Sequence, residues 1–278
     1  MERTRVFRVL TLNCWNVCEP FEERMAVIRR GLAALTPDVA GFQEVVVRSD
    51  GLDQGSLMLG DAGYFRAFGP AFRWNDEGTT LAHDGEGNAF GNLIASRWPI
   101  LHSEVRPLPG KQGEEPRSVL GALIDTPTGL LPLLTTHLDW QFDHGWMRER
   151  QVRTIDALAR ELAKRADLPP MLTGDFNAHP DSTEMRFLRG LASLDGSSTY
   201  FQDAWEVAGP GGPGFTWDNR NRFAAHAHEP DRRIDYILVG PADAGGRGRV
   251  EVARLAFEEP VGDLFASDHF GVVAEVRR

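Results

Sequence analysis

The feature that most constrains this 278-residue sequence is the form of its apolar runs. They are short, separated by turn-rich stretches, and several are apolar on both alternating faces. Ile234-Asp235-Tyr236-Ile237-Leu238-Val239 is the clearest case. Successive strand residues point to opposite faces of a sheet, so such a run must be covered on both sides. Runs that read as strands fall at 7–12, 39–45, 93–95, 119–124, 131–138, 171–173, 234–239 and 270–276. Three other segments carry apolar residues at three- and four-residue steps and read as helices. Phe21, Met25, Ile28, Leu32 and Leu35 form one stripe over 21–35. Val152, Ile155, Leu158 and Leu162 form a second within 146–166. The third, 182–194, follows Pro180-Asp181, and Asp181 with Glu184 has the spacing of a capping box. Strands outnumber helices and alternate with them irregularly. That pattern implies stacked sheets with helices outside, in one domain over residues 1–278.

Composition narrows the chemistry. With 42% hydrophobic and 25% charged residues, the chain has ordinary globular balance and can bury a core without covalent staples. Cys14 and Cys18 are too few for a disulfide framework or a zinc site. Thirty basic against forty acidic residues give a formal charge of -10, which argues against a sequence-independent grip on duplex DNA. It does not exclude a polyanionic substrate, because bound divalent cations change the local field. No apolar run approaches the length of a membrane span, and Met1-Glu2-Arg3-Thr4-Arg5 leads into a strand without a signal-like apolar region. A cytoplasmic protein is expected. The long loops are 48–62, 73–92, 107–117, 209–232 and 240–249. The fourth presents Phe215-Thr216-Trp217-Asp218-Asn219-Arg220-Asn221, dense in stacking and hydrogen-bonding groups.

Polar residues collect where the apolar runs end. Asn13 follows the first run, Gln43-Glu44 ends the second, and His137-Leu138-Asp139 ends the fifth. Gly174-Asp175-Phe176-Asn177 follows the sixth, Asp235 sits in the seventh, and Ser267-Asp268-His269 precedes the last. Such groups are costly to bury without partners. Their repetition at strand ends is what a site on the rim of a sheet requires. Oxygen donors without thiolates suit a hard cation such as Mg²⁺ or Mn²⁺. Imidazoles beside carboxylates suit acid–base work and stabilisation of developing negative charge. Phosphoester hydrolysis needs both sets together.

Thr11-Leu12-Asn13, Gln43-Glu44-Val45, Thr136-His137-Leu138, Gly174-Asp175-Phe176-Asn177, Arg233-Ile234-Asp235-Tyr236 and Ser267-Asp268-His269 occur in this order. The series closely resembles the motifs of the endonuclease/exonuclease/phosphatase family, and the segment from Gly91 to Ile100 resembles a further shared stretch. The resemblance implies a four-layer α/β sandwich, two mixed β-sheets face to face with helices on the outside. It implies a metal-dependent phosphoester hydrolase, most plausibly on phosphodiesters, in which water attacks phosphorus. Carried over residue by residue, it makes Glu44 the principal metal ligand, with Asn13 and Asp268 flanking the cation. Asp175 would orient or deprotonate the water and Asn177 would hold it. His269, oriented by Asp235, would donate to the phosphoryl group, and His137 would stabilise the transition state or assist the leaving group. Asn92, Arg117, Trp217 and Asn219 are candidate substrate contacts. Family members acting on abasic sites usually carry tyrosine where this chain has His137. The histidine matches the DNase-like, sphingomyelinase-like and tyrosyl-DNA-phosphodiesterase-like branches.

Other readings fit less well. The elements that accompany Gly-Asp-Phe-Asn in calcineurin-like enzymes are missing, and there is no Gly-x-Ser-x-Gly elbow. A catalytically dead binding protein would be expected to have lost one of Glu44, Asp175 or His269. Nucleic acid, lipid headgroup and small phosphoester all remain open as substrates at this level.

Overall fold

The computed structural model describes residues 6–75, 80–81 and 87–278. The reading of residues 1–5 and the middle of the 73–92 loop fall outside them. The first half of the chain supplies β1 (Val6–Asn13), α1 (Phe21–Leu35), β2 (Val39–Val47), α2 (Gln54–Leu59), β3 (Phe65–Trp74), β4 (Thr80–Leu81), β5 (Asn88–Ser96), β6 (Ile100–Pro107), β7 (Ser118–Thr126) and β8 (Gly129–His137). The second half supplies α3 (Gly145–Ala163), β9 (Met171–Asp175), α4 (Thr183–Leu188), β10 (Gln202–Asp203), α5 (Ala204–Ala208), α6 (Arg222–Ala225), β11 (Asp235–Val239), β12 (Val250–Ala256) and β13 (Gly271–Arg277). One sheet runs β12-β13-β1-β2-β5-β3-β4 and the other β10-β11-β9-β8-β7-β6. β1 and β2 pack against β9 and β8 across the interface.

The layers follow from the apolar patterns. Phe7, Val39, Ile94, Leu120, Leu133 and Ile237 fill the space between the sheets. On one outer face Met25, Ile28 and Leu32 of α1 pack on Leu10 and Val273. On the other, Val152, Ile155 and Leu158 of α3 pack on Leu134 and Leu172. The result is the four-layer α/β sandwich. Among the described residues no helix is long and apolar enough to cross a membrane.

Two strand pairs are parallel, β1 with β2 and β8 with β9. Each pair is joined through an outer helix, so the carboxyl ends of its two strands lie together. β11 runs antiparallel to β9 and starts with Asp235 opposite Asp175. β13 runs antiparallel to β1, which brings its leading residues, Asp268 and His269, back beside Asn13. Strand direction alone thus gathers the polar ends at one rim. Beneath that rim Gln43 ties the sheets, its Nε2 donating to Thr11 Oγ1 at 3.2 Å and Thr135 Oγ1 at 2.8 Å. Gly41 permits this closeness, since a Cβ there would lie 2.1 Å from Thr173 Oγ1.

Three expectations need correction. β3, β6 and β12 were not expected as strands. β3 contains Gly69-Pro70, an apparent turn signal, which a register shift against β5 between Pro70 and Phe72 accommodates. β6 and β12 are edge strands in which exposed residues interrupt the apolar ones, so they lack continuous apolar runs. The helix expected over 182–194 ends at Leu188, followed by Gly190 at φ 76°. Its capping box does not form: Ser182 is the N-cap, and Glu184 is buried and accepts from Arg148 Nε at 2.7 Å.

Candidate active site

Glu44 sits where β2 shifts register against β5 between Phe42 and Val45, with its backbone in the left-handed region at φ 58°. The bulge turns its carboxylate to the rim. Asn13 Nδ2 donates to Glu44 Oε1 at 3.2 Å and to Asp175 Oδ2 at 3.1 Å. Its Oδ1 accepts from the Trp15 N–H at 3.0 Å, which fixes the amide orientation. Asn13 therefore spaces the two carboxylates and presents its amide nitrogen, not its oxygen, to them. Asn16 Nδ2 holds Glu44 Oε2 at 2.8 Å.

Asp175 lies at the centre. His137 Nε2 stands 3.4 Å from its Oδ2 and His269 Nε2 3.7 Å from the same oxygen. His269 Nδ1 donates to Asp235 Oδ2 at 2.9 Å. Burial alone would lower the pKa of His269, but Asp235 and Asp175 outweigh it and hold the ring well above the ordinary histidine range. His137 is the opposite case. Burial first, then Arg117 and His269, hold it well below that range. Arg117 Nη1 lies 3.0 Å from His137 Nδ1. A guanidinium only donates, so Nδ1 must accept and the proton of neutral His137 must sit on Nε2. Both rings thus aim an N–H at one point beside Asp175.

Burial, with Asp235 adding, raises Asp175 to about 6. Burial, with Glu44 adding, raises Asp268 to about 7 against the pull of His269. Asp268 Oδ1 accepts from Ser267 Oγ at 3.1 Å, and Asp235 Oδ1 is buried with no hydrogen-bond partner among the described residues. Asn177, at φ 49°, donates its backbone N–H to Asp175 Oδ1 at 2.9 Å and its Nδ2 to Leu138 O at 3.2 Å. The crowded, buried carboxylates and their oxygen donors fit a hard divalent cation, with Glu44 and Asp268 as candidate ligands. Ligand atoms of Asp175, Asp235 and His269 also lie within 4.8 Å of one another. Glu114, Asp139 and His144 form a second such group. There, however, Lys111 Nζ and Asp139 Oδ1 occupy the two His144 nitrogens at 2.9 and 3.0 Å.

These groups open into a cleft of about 330 Å³. A larger cavity of about 720 Å³, beside Val46 and Trp74, contains none of them. A scan of family models matches the endonuclease/exonuclease/phosphatase family over residues 10–269. The chain belongs to this family. A search of curated proteins gives no match. Among solved structures, the family protein from Beutenbergia cavernae DSM 12333 is 26% identical at a TM-score of 0.71, over 98% of this chain and 72% of that one. Truncated Caenorhabditis elegans TDP2 is 20% identical at 0.74, over 98% of both chains. D. rerio TDP2 complexed with single strand DNA product is 20% identical at 0.72, over 98% and 99%. The human Nocturnin catalytic domain with bound sulfate anion is 19% identical at 0.70, over 98% and 93%.

The structure gathers all eight strand-end residues at one rim. Arg117 and Trp217 also line the cleft. Arg117 is engaged by His137 and by Glu115 at 2.9 Å. Trp217 sets its ring edge against His269, centroids 5.0 Å apart. Asn92 and Asn219 lie elsewhere. Asn92 is buried in β5 and donates to Ser118 O at 3.0 Å. Asn219 is exposed and bound to Asp231 and Glu229. Sequence reasoning did not single out Asn16, Arg24 or Arg232. Arg24 is fully buried, and its guanidinium donates to the carbonyls of Cys14, Trp15, Asn16, Cys18 and Ala266. It clamps the loop after β1 to the segment before Asp268. A charged residue inside an amphipathic stripe was its only signal.

Proposed function

We infer that this protein is a divalent-metal-dependent phosphodiester hydrolase, and that residues 1–278 form one catalytic domain. The observation that carries the reading is the opposed setting of two imidazoles around one buried carboxylate: His269 Nδ1 rests on Asp235 Oδ2 at 2.9 Å, and His137 Nδ1 on the Arg117 guanidinium at 3.0 Å. Glu44 and Asp268 would hold Mg²⁺ or Mn²⁺, with Asn13 and Asn16 fixing Glu44. When bound, the cation would polarise the phosphoryl oxygens and neutralise charge on them. Asp175, its pKa raised by burial, accepts a proton from a water in the cleft, and Asn177 orients that carboxylate through its backbone N–H. His269 donates to the phosphoryl oxygens as negative charge builds. His137 Nε2–H stabilises the same charge by donating a hydrogen bond to it. The fold shared with TDP2, seen with a single-strand DNA product, supports a nuclease-like diester over a lipid one.

Asp175→Asn and His269→Ala should each lower kcat by about a hundredfold or more while circular dichroism stays native. Near-normal turnover by His269→Ala would overturn its assigned role.

A further inference from the structure

The loop that leaves His137, with the first turn of α3, carries three large exposed aromatic rings within seven residues. Trp140 is 53% exposed, Phe142 56% and Trp146 44%. Their backbone is held firmly. Asp139 Oδ1 accepts from the Gln141 N–H at 3.0 Å and from His144 Nδ1 at 3.0 Å. Arg148 Nη1 donates to Gln141 O at 2.7 Å and Asp139 O at 3.2 Å. A buried polar network thus fixes a loop whose apolar rings face water. Clustered exposed aromatics beside a cleft mark a binding surface.

The patch is continuous with the reacting centre. Trp140 lines the cleft. The Arg232 guanidinium lies 4.5 Å from the Phe142 ring centroid and 5.9 Å from that of Trp217. Trp217 in turn meets His269. A series of ring and guanidinium contacts therefore runs from His269 to the surface and ends on exposed Phe142.

Resting on the hydrolase reading above, we propose that Trp140 and Phe142 form a stacking subsite for unpaired bases of a polynucleotide whose phosphate lies in the cleft. A base offers the flat face these rings accept, in any sequence, and it comes covalently joined to a phosphodiester. A bilayer fits less well. Exposed Asp143 lies between Phe142 and Trp146, so inserting both rings would carry its carboxylate toward the lipid.

The test measures binding in EDTA, where turnover is blocked. The probes are a ten-residue oligothymidylate, a ten-residue abasic oligomer with the same phosphates, and phosphatidylcholine–sphingomyelin vesicles. The wild type should bind the oligothymidylate at least tenfold more tightly than the abasic oligomer. Trp140→Ala with Phe142→Ala should lose about tenfold or more on the oligothymidylate at an unchanged Tm, and Trp140→Phe should retain most of it. Equal binding of the two oligomers, or an unaffected double variant, overturns the proposal. So does ring-dependent binding to vesicles without binding to the oligothymidylate. Turnover of bis-p-nitrophenyl phosphate, measured separately with Mg²⁺, tests the hydrolase reading. If that fails while base-dependent binding holds, the chemistry is wrong and the subsite stands.

Discussion

His137 shows how one distant side chain sets the state of another. Its strand-end position was legible in the sequence, because a polar residue closing a buried apolar strand must have partners. Its tautomer was not, because that depends on Arg117, which β7 and β8 bring to 3.0 Å. Arg117 was expected to contact phosphate. In the structure it is first a positioning residue for His137. Arg117→Met should therefore lower kcat by about tenfold or more, with KM changed less. Loss of the guanidinium also removes one cause that lowers the His137 pKa. The acidic limb of the pH–rate profile, where protonated His137 is inactive, should move to higher pH. A uniform loss with an unmoved limb would show that Arg117 acts on something other than the ring. Arg24 and Asn16 were illegible for the same reason: their roles lie in partners that the fold supplies.

At the level of elements, the loop preceding β11 was expected to govern substrate choice through Trp217. The structure gives Trp217 another task. Its ring is half-buried, edge-on to His269, with Arg232 near its face. Trp217→Ala should lower kcat several-fold on both an oligonucleotide and bis-p-nitrophenyl phosphate, because it frees His269. A rise in KM confined to the oligonucleotide would restore the recognition role. The exposed loop after β8, with Trp140 and Phe142, is the better candidate for recognition. Sequence alone does not place those rings, since a Trp or Phe carries no sign of which way its loop faces. Among regular elements, α1 and the buried strands were legible because both faces or one stripe are apolar. β6 and β12 were not, because exposed and charged residues interrupt the pattern of an edge strand. α4 was overextended because its apolar residues continue beyond the turn at Gly190.

On the scale of the whole molecule, the sandwich presses several carboxylates together inside an already acidic protein. Asp175 is raised to about 6 and Asp268 to about 7, chiefly by burial. Unfolded, such groups ionise near pH 3.9, so the metal-free fold binds more protons than the unfolded chain between roughly pH 4 and 7. Its contribution from these two groups is present at low pH and is lost as pH rises through about 6 and about 7. A divalent cation held by Glu44 and Asp268, as proposed, would offset that charge. The rise in Tm on adding Mg²⁺ should therefore grow from pH 5 to pH 8, and Asp268→Asn should flatten the trend. An equal or larger rise at pH 5 would argue against these ligands. The central claim, that these residues form a metal-dependent hydrolase centre, is tested most directly by turnover of bis-p-nitrophenyl phosphate after EDTA treatment. The wild type should lose activity in excess chelator and recover it with Mg²⁺ or Mn²⁺, while Glu44→Gln recovers about a hundredfold less. Full turnover in excess chelator, or equal recovery by Glu44→Gln, would contradict the account.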